Sequence, residues 1–205
     1  MKRVAVVDYG VSNLDSVARA LEECGATPFV TSNPAELKNA SLMVLPGVGA
    51  FADGMRNLRE RGLDQALREQ VLEQRVPLLG VCLGMHLLAD RGSEGGESQG
   101  LGLIPGTVQK LQPDAPGTRI PHVGWNEVHP ARPSPLMEGI EDGRDFYFVH
   151  SYHLACDDPA DVLATTPYCG GIASAVQRGI VAGVQFHPEK SQKAGFALLR
   201  NFVKG

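Results

Sequence analysis

The chain has 205 residues, enough for one well-packed domain or at most two small ones. Its 23 acidic and 19 basic side chains leave a formal charge of −4, which excludes a basic field for nucleic acid, and 43% hydrophobic residues are ordinary for a soluble globular protein. No apolar stretch approaches membrane-spanning length, and Cys24, Cys82, Cys156 and Cys169 form no CxxC pair, which argues against a zinc site or a disulfide scaffold and for a reducing cytoplasm.

The N-terminus reads as a strand, Val4 to Val7, with neither the apolar core nor the cleavage site of a signal peptide. The turn Asp8-Tyr9-Gly10-Val11 leads to Ser12 as N-cap of a helix with Leu14, Val17, Ala18 and Leu21 at helical spacing, stopping at Gly25. Thr27 to Thr31 is a second strand, and Asn33-Pro34 reads as a cap followed by a first helical residue. A third strand, Leu42 to Leu45, ends in Pro46-Gly47-Val48-Gly49; two amphipathic stretches then fill Phe51 to Gln74, broken near Gly62. A fourth apolar run, Pro77 to Val81, meets Cys82. Strands alternating with helices imply right-handed βαβ units and a parallel sheet.

After Arg91 the pattern changes. Gly92 to Gly100 is polar and glycine-rich, hence a loop, and the rest is mostly short strands: Leu103 to Leu111, His122 to Val128, Phe146 to Ser151, Val162 to Thr166, Ile172 to Val176 and Ile180 to Phe186. One helix closes the chain. The expectation is an α/β fold in one domain spanning residues 1–205: a mostly parallel central sheet flanked by helices, with an extra antiparallel strand group in the C-terminal half.

Three segments carry chemistry. Gly80-Val81-Cys82-Leu83-Gly84, between a strand and a helical pattern, has the form of a nucleophile elbow, in which glycines clear a sharp turn and expose the central side chain at the sheet edge. Read alone, Cys82 fits either that role or a small buried hydrophobe. Gly183-Val184-Gln185-Phe186-His187-Pro188-Glu189 ends a strand in a His, with a carboxylate two residues on, at the same edge of the sheet. That pairing supplies a base and its orienter for the nucleophile, Cys82, His187 and Glu189, where a lone His would read as a surface residue. Pro46-Gly47-Val48-Gly49 is either a plain turn or a loop whose backbone N–H joins that of Leu83 as an oxyanion hole.

Together with Asp8-Tyr9-Gly10, Pro121-His122-Val123-Gly124-Trp125-Asn126 and Phe148-Val149-His150-Ser151-Tyr152, these segments resemble the class I, triad-type glutamine amidotransferases nearly end to end. Within them the chain is similar to the glutaminase subunits that serve a (β/α)₈ cyclase in histidine biosynthesis. The resemblance implies that Cys82 attacks the amide of L-glutamine, that His187, oriented by Glu189, protonates the departing ammonia, and that the ammonia passes to the cyclase subunit. It implies no cofactor and no metal. It assigns Val48 and Leu83 to the oxyanion hole, Gly49, Glu94, Ser151 and Tyr152 to the bound glutamine, and His122, Trp125 and Asn126 to the partner interface. Taken bottom-up, Trp125, the only Trp, is equally a core residue. His150 and His153 read as structural or interfacial.

One departure stands out. Where the family has Gln four residues after the nucleophile, this chain has His86, one helical turn on and still expected to face the pocket. A neutral imidazole replaces part of the hydrogen bonding of a carboxamide, weakens it, or adds pH dependence. Two alternatives therefore stand: a relative that supplies ammonia to a surface-polysaccharide sugar, and a binding subunit with weakened catalysis.

Overall fold

The computed structural model describes residues 1–11 and 13–205. Along the chain, β1 (Arg3–Val7), α1 (Leu14–Glu23), β2 (Thr27–Thr31), β3 (Leu42–Gly47), α2 (Phe51–Glu60), α3 (Leu63–Leu72), β4 (Leu78–Cys82) and the short α4 (Leu83–Leu87) form the alternating N-terminal part. The C-terminal part holds β5 (Arg91–Gly92), β6 (Ser98–Gln99), β7 (Gly106–Lys110), β8 (His122–Pro130), β9 (Arg144–His150), β10 (Tyr152–Cys156), β11 (Val162–Thr166), β12 (Ile172–Arg178), β13 (Val181–Val184) and α5 (Gln192–Lys204). The N-cap assigned to Ser12 lies outside the described residues; Asn13 occupies the cap position of α1 without a side-chain capping bond. Asn33 does cap, its side chain accepting from the Ala35 N–H at the start of a 3₁₀ turn.

The main sheet has the order β2-β1-β3-β4-β13-β12-β11-β8-β9. The strands from β2 to β13 are parallel neighbours; from β13 outward every pairing is antiparallel. The extra antiparallel strands thus divide. Four of them extend the central sheet, while β10, β7, β5 and β6 form a separate small one in which only β5 and β7 run parallel. Two pieces of that small sheet differ from the sequence expectation. The glycine-rich stretch expected as a loop carries the two-residue strands β5 and β6, and β10 is a strand in which half-buried residues flank a single buried Leu154, with no clear alternation.

Alternate residues of each parallel strand feed opposite faces. Val4, Val6, Leu79 and Val81 pack against Val17 and Leu21 of α1 and Leu198 and Leu199 of α5. Ala5, Val7, Met43 and Leu45 pack against Met55 of α2, Leu67 of α3 and Met85 of α4. Strands buried on both faces explain the unbroken apolar runs. Each such aliphatic side chain contributes roughly 1.5–3 kcal/mol on burial.

The two elbow glycines are required by close approach. A Cβ on Gly80 would lie 2.5 Å from the Gly84 carbonyl oxygen, and a Cβ on Gly84 would overlap the carbonyl oxygen of Leu45 in β3. Backbone cannot yield as a flexible side chain does. Gly84→Ala is therefore expected to destabilise the fold by about 3 kcal/mol, seen as a lower urea midpoint in far-UV circular dichroism with the slope of the transition unchanged.

Candidate active site

Register places the site. Gly47 of β3 sits beside Cys82, and Val184 of β13 sits beside Val81, so β4 carries the thiol out between the Pro46–Gly49 loop and the Gln185-Phe186-His187 segment. Cys82 holds φ 54° and ψ −109°, a conformation that costs an L-residue of order 1–3 kcal/mol and is kept by the packing of Gly80 and Gly84 around it. The thiol is 7% exposed, its Sγ 3.9 Å from the Val149 carbonyl oxygen.

His187 is fixed by its backbone before its side chain acts. Its N–H donates to the Tyr147 carbonyl at 2.9 Å. The hydroxyl of buried Ser191 donates to the His187 carbonyl at 2.6 Å and accepts from the Tyr147 N–H at 3.0 Å. Pro188 opens a 3₁₀ turn that folds Glu189 back, putting its Oε1 2.8 Å from His187 Nδ1, with both side chains under 5% exposed, at 4% and 3%. Nδ1–H therefore donates to the carboxylate, which leaves Nε2 without a partner among the described residues. Burial opposes an imidazolium here, but the interactions with Cys82 and Glu189 outweigh it and raise the pKa of His187 to about 9.

The loop expected to supply an oxyanion donor has its Val48 N–H already engaged. The Val48 N–H donates to the Val11 carbonyl at 2.8 Å, while Leu83 opens α4 and has no acceptor one turn back. Gly49 takes φ 107°. A cavity of about 390 Å³ collects every pocket residue expected from the sequence: Val48, Gly49, Cys82, Leu83, His86, Glu94, Ser151 and Tyr152. Burial raises the carboxyl pKa of Glu94, against a backbone hydrogen bond from Phe51 that lowers it. A larger hollow of about 770 Å³ along Pro130–Ile140 is lined by neither cysteine nor histidine.

His86 faces the cavity, with its Nε2 2.7 Å from Gln185 Oε1. Burial pushes its pKa down to about 4, with the Gln185 bond opposing and nearby His153 adding to the fall. It is thus neutral at neutral pH, and the pH dependence that a His might bring is displaced well into acid.

The three residues expected at a partner interface differ in exposure. On the β8–β9 ribbon, Val123 pairs with Val149 and Trp125 with Tyr147. Val123, Trp125 and Val149 are 57%, 48% and 37% exposed, an apolar face whose Val149 lines the same cavity as exposed Val48. Trp125 is therefore a surface residue, and Asn126 is half-buried. His122, in contrast, is buried and points inward; its ring is stacked between Phe148 and Tyr168. It nonetheless lines one hollow with Trp125 and Asn126. The Asn126 amide donates to His122 Nε2 at 3.1 Å, His122 Nδ1–H donates to His150 Nε2 at 2.9 Å, and His150 Nδ1–H donates to the Tyr152 carbonyl at 2.8 Å. Burial lowers the pKa of His122 to about 4 and that of His150 to about 3. Among the described residues no group of three or more His, Cys, Asp or Glu is placed to hold a metal ion.

Sequence reasoning gave no role to Val11, Gln185 or Ser191. Gln185 and Ser191 sit in the same segment as His187, and that proximity was the available signal; Val11 meets Val48 only through the fold.

With this geometry, the chain belongs to the class-I glutamine amidotransferases, whose family model (Glutamine amidotransferase class-I) matches residues 5–205. It is 46% identical over 201 residues to "Imidazole glycerol phosphate synthase subunit HisH 1" of Campylobacter jejuni, covering 98% of this chain and 99% of that one. It is 48% identical over 202 residues to the subunit HisH of Moorella thermoacetica, covering 98% and 94%. Among solved structures, PurLQS from Thermotoga maritima shares the fold with a TM-score of 0.78 at 21% identity, covering 100% of this chain and 99% of that one. A crystal structure of a glutamine amidotransferase does so with a TM-score of 0.76 at 22% identity, covering 98% and 97%.

With glutamine as substrate, kcat/KM should fall about tenfold per pH unit above the His187 pKa, as the imidazolium loses its proton. That limb is expected at about 9. In Glu189→Gln one of the groups that raises this pKa is gone, so the limb moves to lower pH; pH–rate profiles of the two proteins check the sign.

Proposed function

We propose that the chain is the glutaminase subunit of an imidazole glycerol phosphate synthase, releasing ammonia from L-glutamine for a (β/α)₈ cyclase subunit in histidine biosynthesis. The observation that carries this reading is that Cys82, which lines the amino-acid-sized cavity, interacts with a buried His187 paired to Glu189, in a chain that matches HisH subunits along nearly its whole length. Residues 1–205 act as one glutaminase domain, a reading supported by a sheet that runs unbroken from the N-terminal strands into β8 and β9.

Cys82 Sγ attacks the side-chain carboxamide carbon, and the negative charge moves to the oxygen. The imidazolium of His187 gives its Nε2 proton to the departing nitrogen; the C–N bond breaks, leaving a glutamyl thioester and ammonia. Neutral His187 then takes a proton from water as it attacks the thioester, and glutamate leaves. Glu189 holds the imidazole in the orientation and tautomer that this exchange needs. Glu94, Ser151 and Tyr152 hold the amino-acid end of the ligand.

The oxyanion needs two donors, and one is occupied. Leu83 N–H is in place, but Val48 N–H is engaged with Val11. Reorienting the Gly47–Val48 peptide frees it, and the exposed Val48 shares the cavity wall with Val149 of the β8–β9 ribbon, where a docking partner would press. The free chain is then a poor glutaminase, and the partner completes the site. The free cysteines and the lack of any helix long and apolar enough to cross a membrane among the described residues fit a cytoplasmic enzyme.

Glutamate release is measured for the chain alone and with the cyclase subunit carrying its nucleotide-derived ligand. Partner plus ligand should raise turnover by about a hundredfold or more, the value of one oxyanion donor. Cys82→Ala should abolish glutamine-dependent cyclase turnover and leave turnover with ammonium salt intact. Loss of both, or full activity of the isolated chain, counts against the reading.

A further inference from the structure

Gln185 has no part in the triad, yet it is wholly buried at the centre of the site. Its backbone N–H donates to the Ser174 carbonyl of β12 at 2.9 Å, and the register of β13 against β4 carries it one residue beyond Val184, level with Cys82. In extended backbone, residues two apart share a face, so Gln185 and His187 both turn toward the thiol. The side-chain amide then touches two groups: Oε1 lies 2.7 Å from His86 Nε2, and Nε2 lies 4.0 Å from Cys82 Sγ.

Only one orientation of that amide suits the chemistry. Turned the other way, its oxygen would face the sulfur that carries negative charge during attack. As placed, its NH₂ faces the sulfur and its oxygen accepts from the imidazole, which puts the His86 proton on Nε2. His86 Nδ1 is then a bare lone pair. It is buried in a residue of the cavity wall, with no partner among the described residues. An acceptor left open there awaits a donor, and glutamine brings N–H groups.

The geometry points to Gln185 as a positioning residue of the glutaminase: its amide bridges the nucleophile and His86, locks the imidazole in the Nε2–H tautomer, and so makes His86 offer the substrate an acceptor and no donor. This inference rests on glutamine being the substrate. It explains how an imidazole serves where the family has a carboxamide: a carboxamide carries donor and acceptor together, whereas an imidazole must be told which nitrogen to leave bare.

The test has two readouts. In ¹⁵N-histidine NMR of the full chain at about pH 7, the signals lost in His86→Gln belong to His86. They should show a pyrrole-type Nε2 and a pyridine-type Nδ1, and Gln185→Met should abolish that single tautomer. In the complex with the cyclase subunit, Gln185→Met should raise KM for glutamine by about tenfold when residue 86 is His, the worth of one hydrogen bond. In the His86→Gln background the same change should raise it far less, since a carboxamide has no tautomer to fix. An Nδ1–H tautomer or an imidazolium in the unmodified chain overturns the inference, as does an equal rise of KM in both backgrounds. Absence of glutamine hydrolysis by the complex overturns the functional reading instead, and the spectrum, which needs no turnover, then decides the clamp.

Discussion

The backbone of Gly84 passes so close beneath the carbonyl of Leu45 that no side chain fits between them, and Gly80 is pressed in the same way against Gly84. These contacts pin β4 and α4 together at a turn that leaves Cys82 in its positive-φ conformation. A strained residue persists only where its surroundings over-determine it. Here the sheet does so from both sides, through β3 and β13. Because those same neighbours lead directly into the Val48 loop and the His187 segment, the packing that strains the nucleophile also brings its assistants beside it. Site and fold are one constraint.

Four buried histidines surround this centre, and they differ in charge for one reason. Burial disfavours the imidazolium of each. His86, His122 and His150 are met by neutral partners (a carboxamide, a neighbouring imidazole, a backbone carbonyl) and stay uncharged. His187 alone is met by a carboxylate, which, with Cys82, reverses the balance. An isolated buried ion pair is a poor source of stability, since desolvation takes back most of its attraction. The His187–Glu189 pair is better understood as placing a proton than as holding the fold.

Much of this was legible in the sequence, because the decisive signals were local. Val4 to Val7, Leu42 to Leu45 and Leu78 to Val81 are apolar without interruption because both faces of their strands are covered. The glycines around Cys82 and the two-residue spacing of His187 and Glu189 encode local geometry directly. What was not legible depends on partners far apart in the chain. Val48 gave no sign of bonding to Val11, nor Gln185 of reaching across to His86. Nor did the sequence show that strand alternation turns His122 inward while Val123 and Trp125 turn out. The strand β10 escaped notice because only Leu154 of its five residues is fully buried, which leaves no hydrophobic period to read.

The position of Trp125 has a practical consequence. It is the only tryptophan in the chain, and it stands half in water on the β8–β9 ribbon, edge-on to Tyr147. Indole emission from this protein therefore reports on a single surface and says little about the interior. Unfolding carries the ring from a wet site to a wetter one, whereas anything that settles on the ribbon takes it out of solvent altogether. The chain carries its own optical label, and that label is tuned to docking.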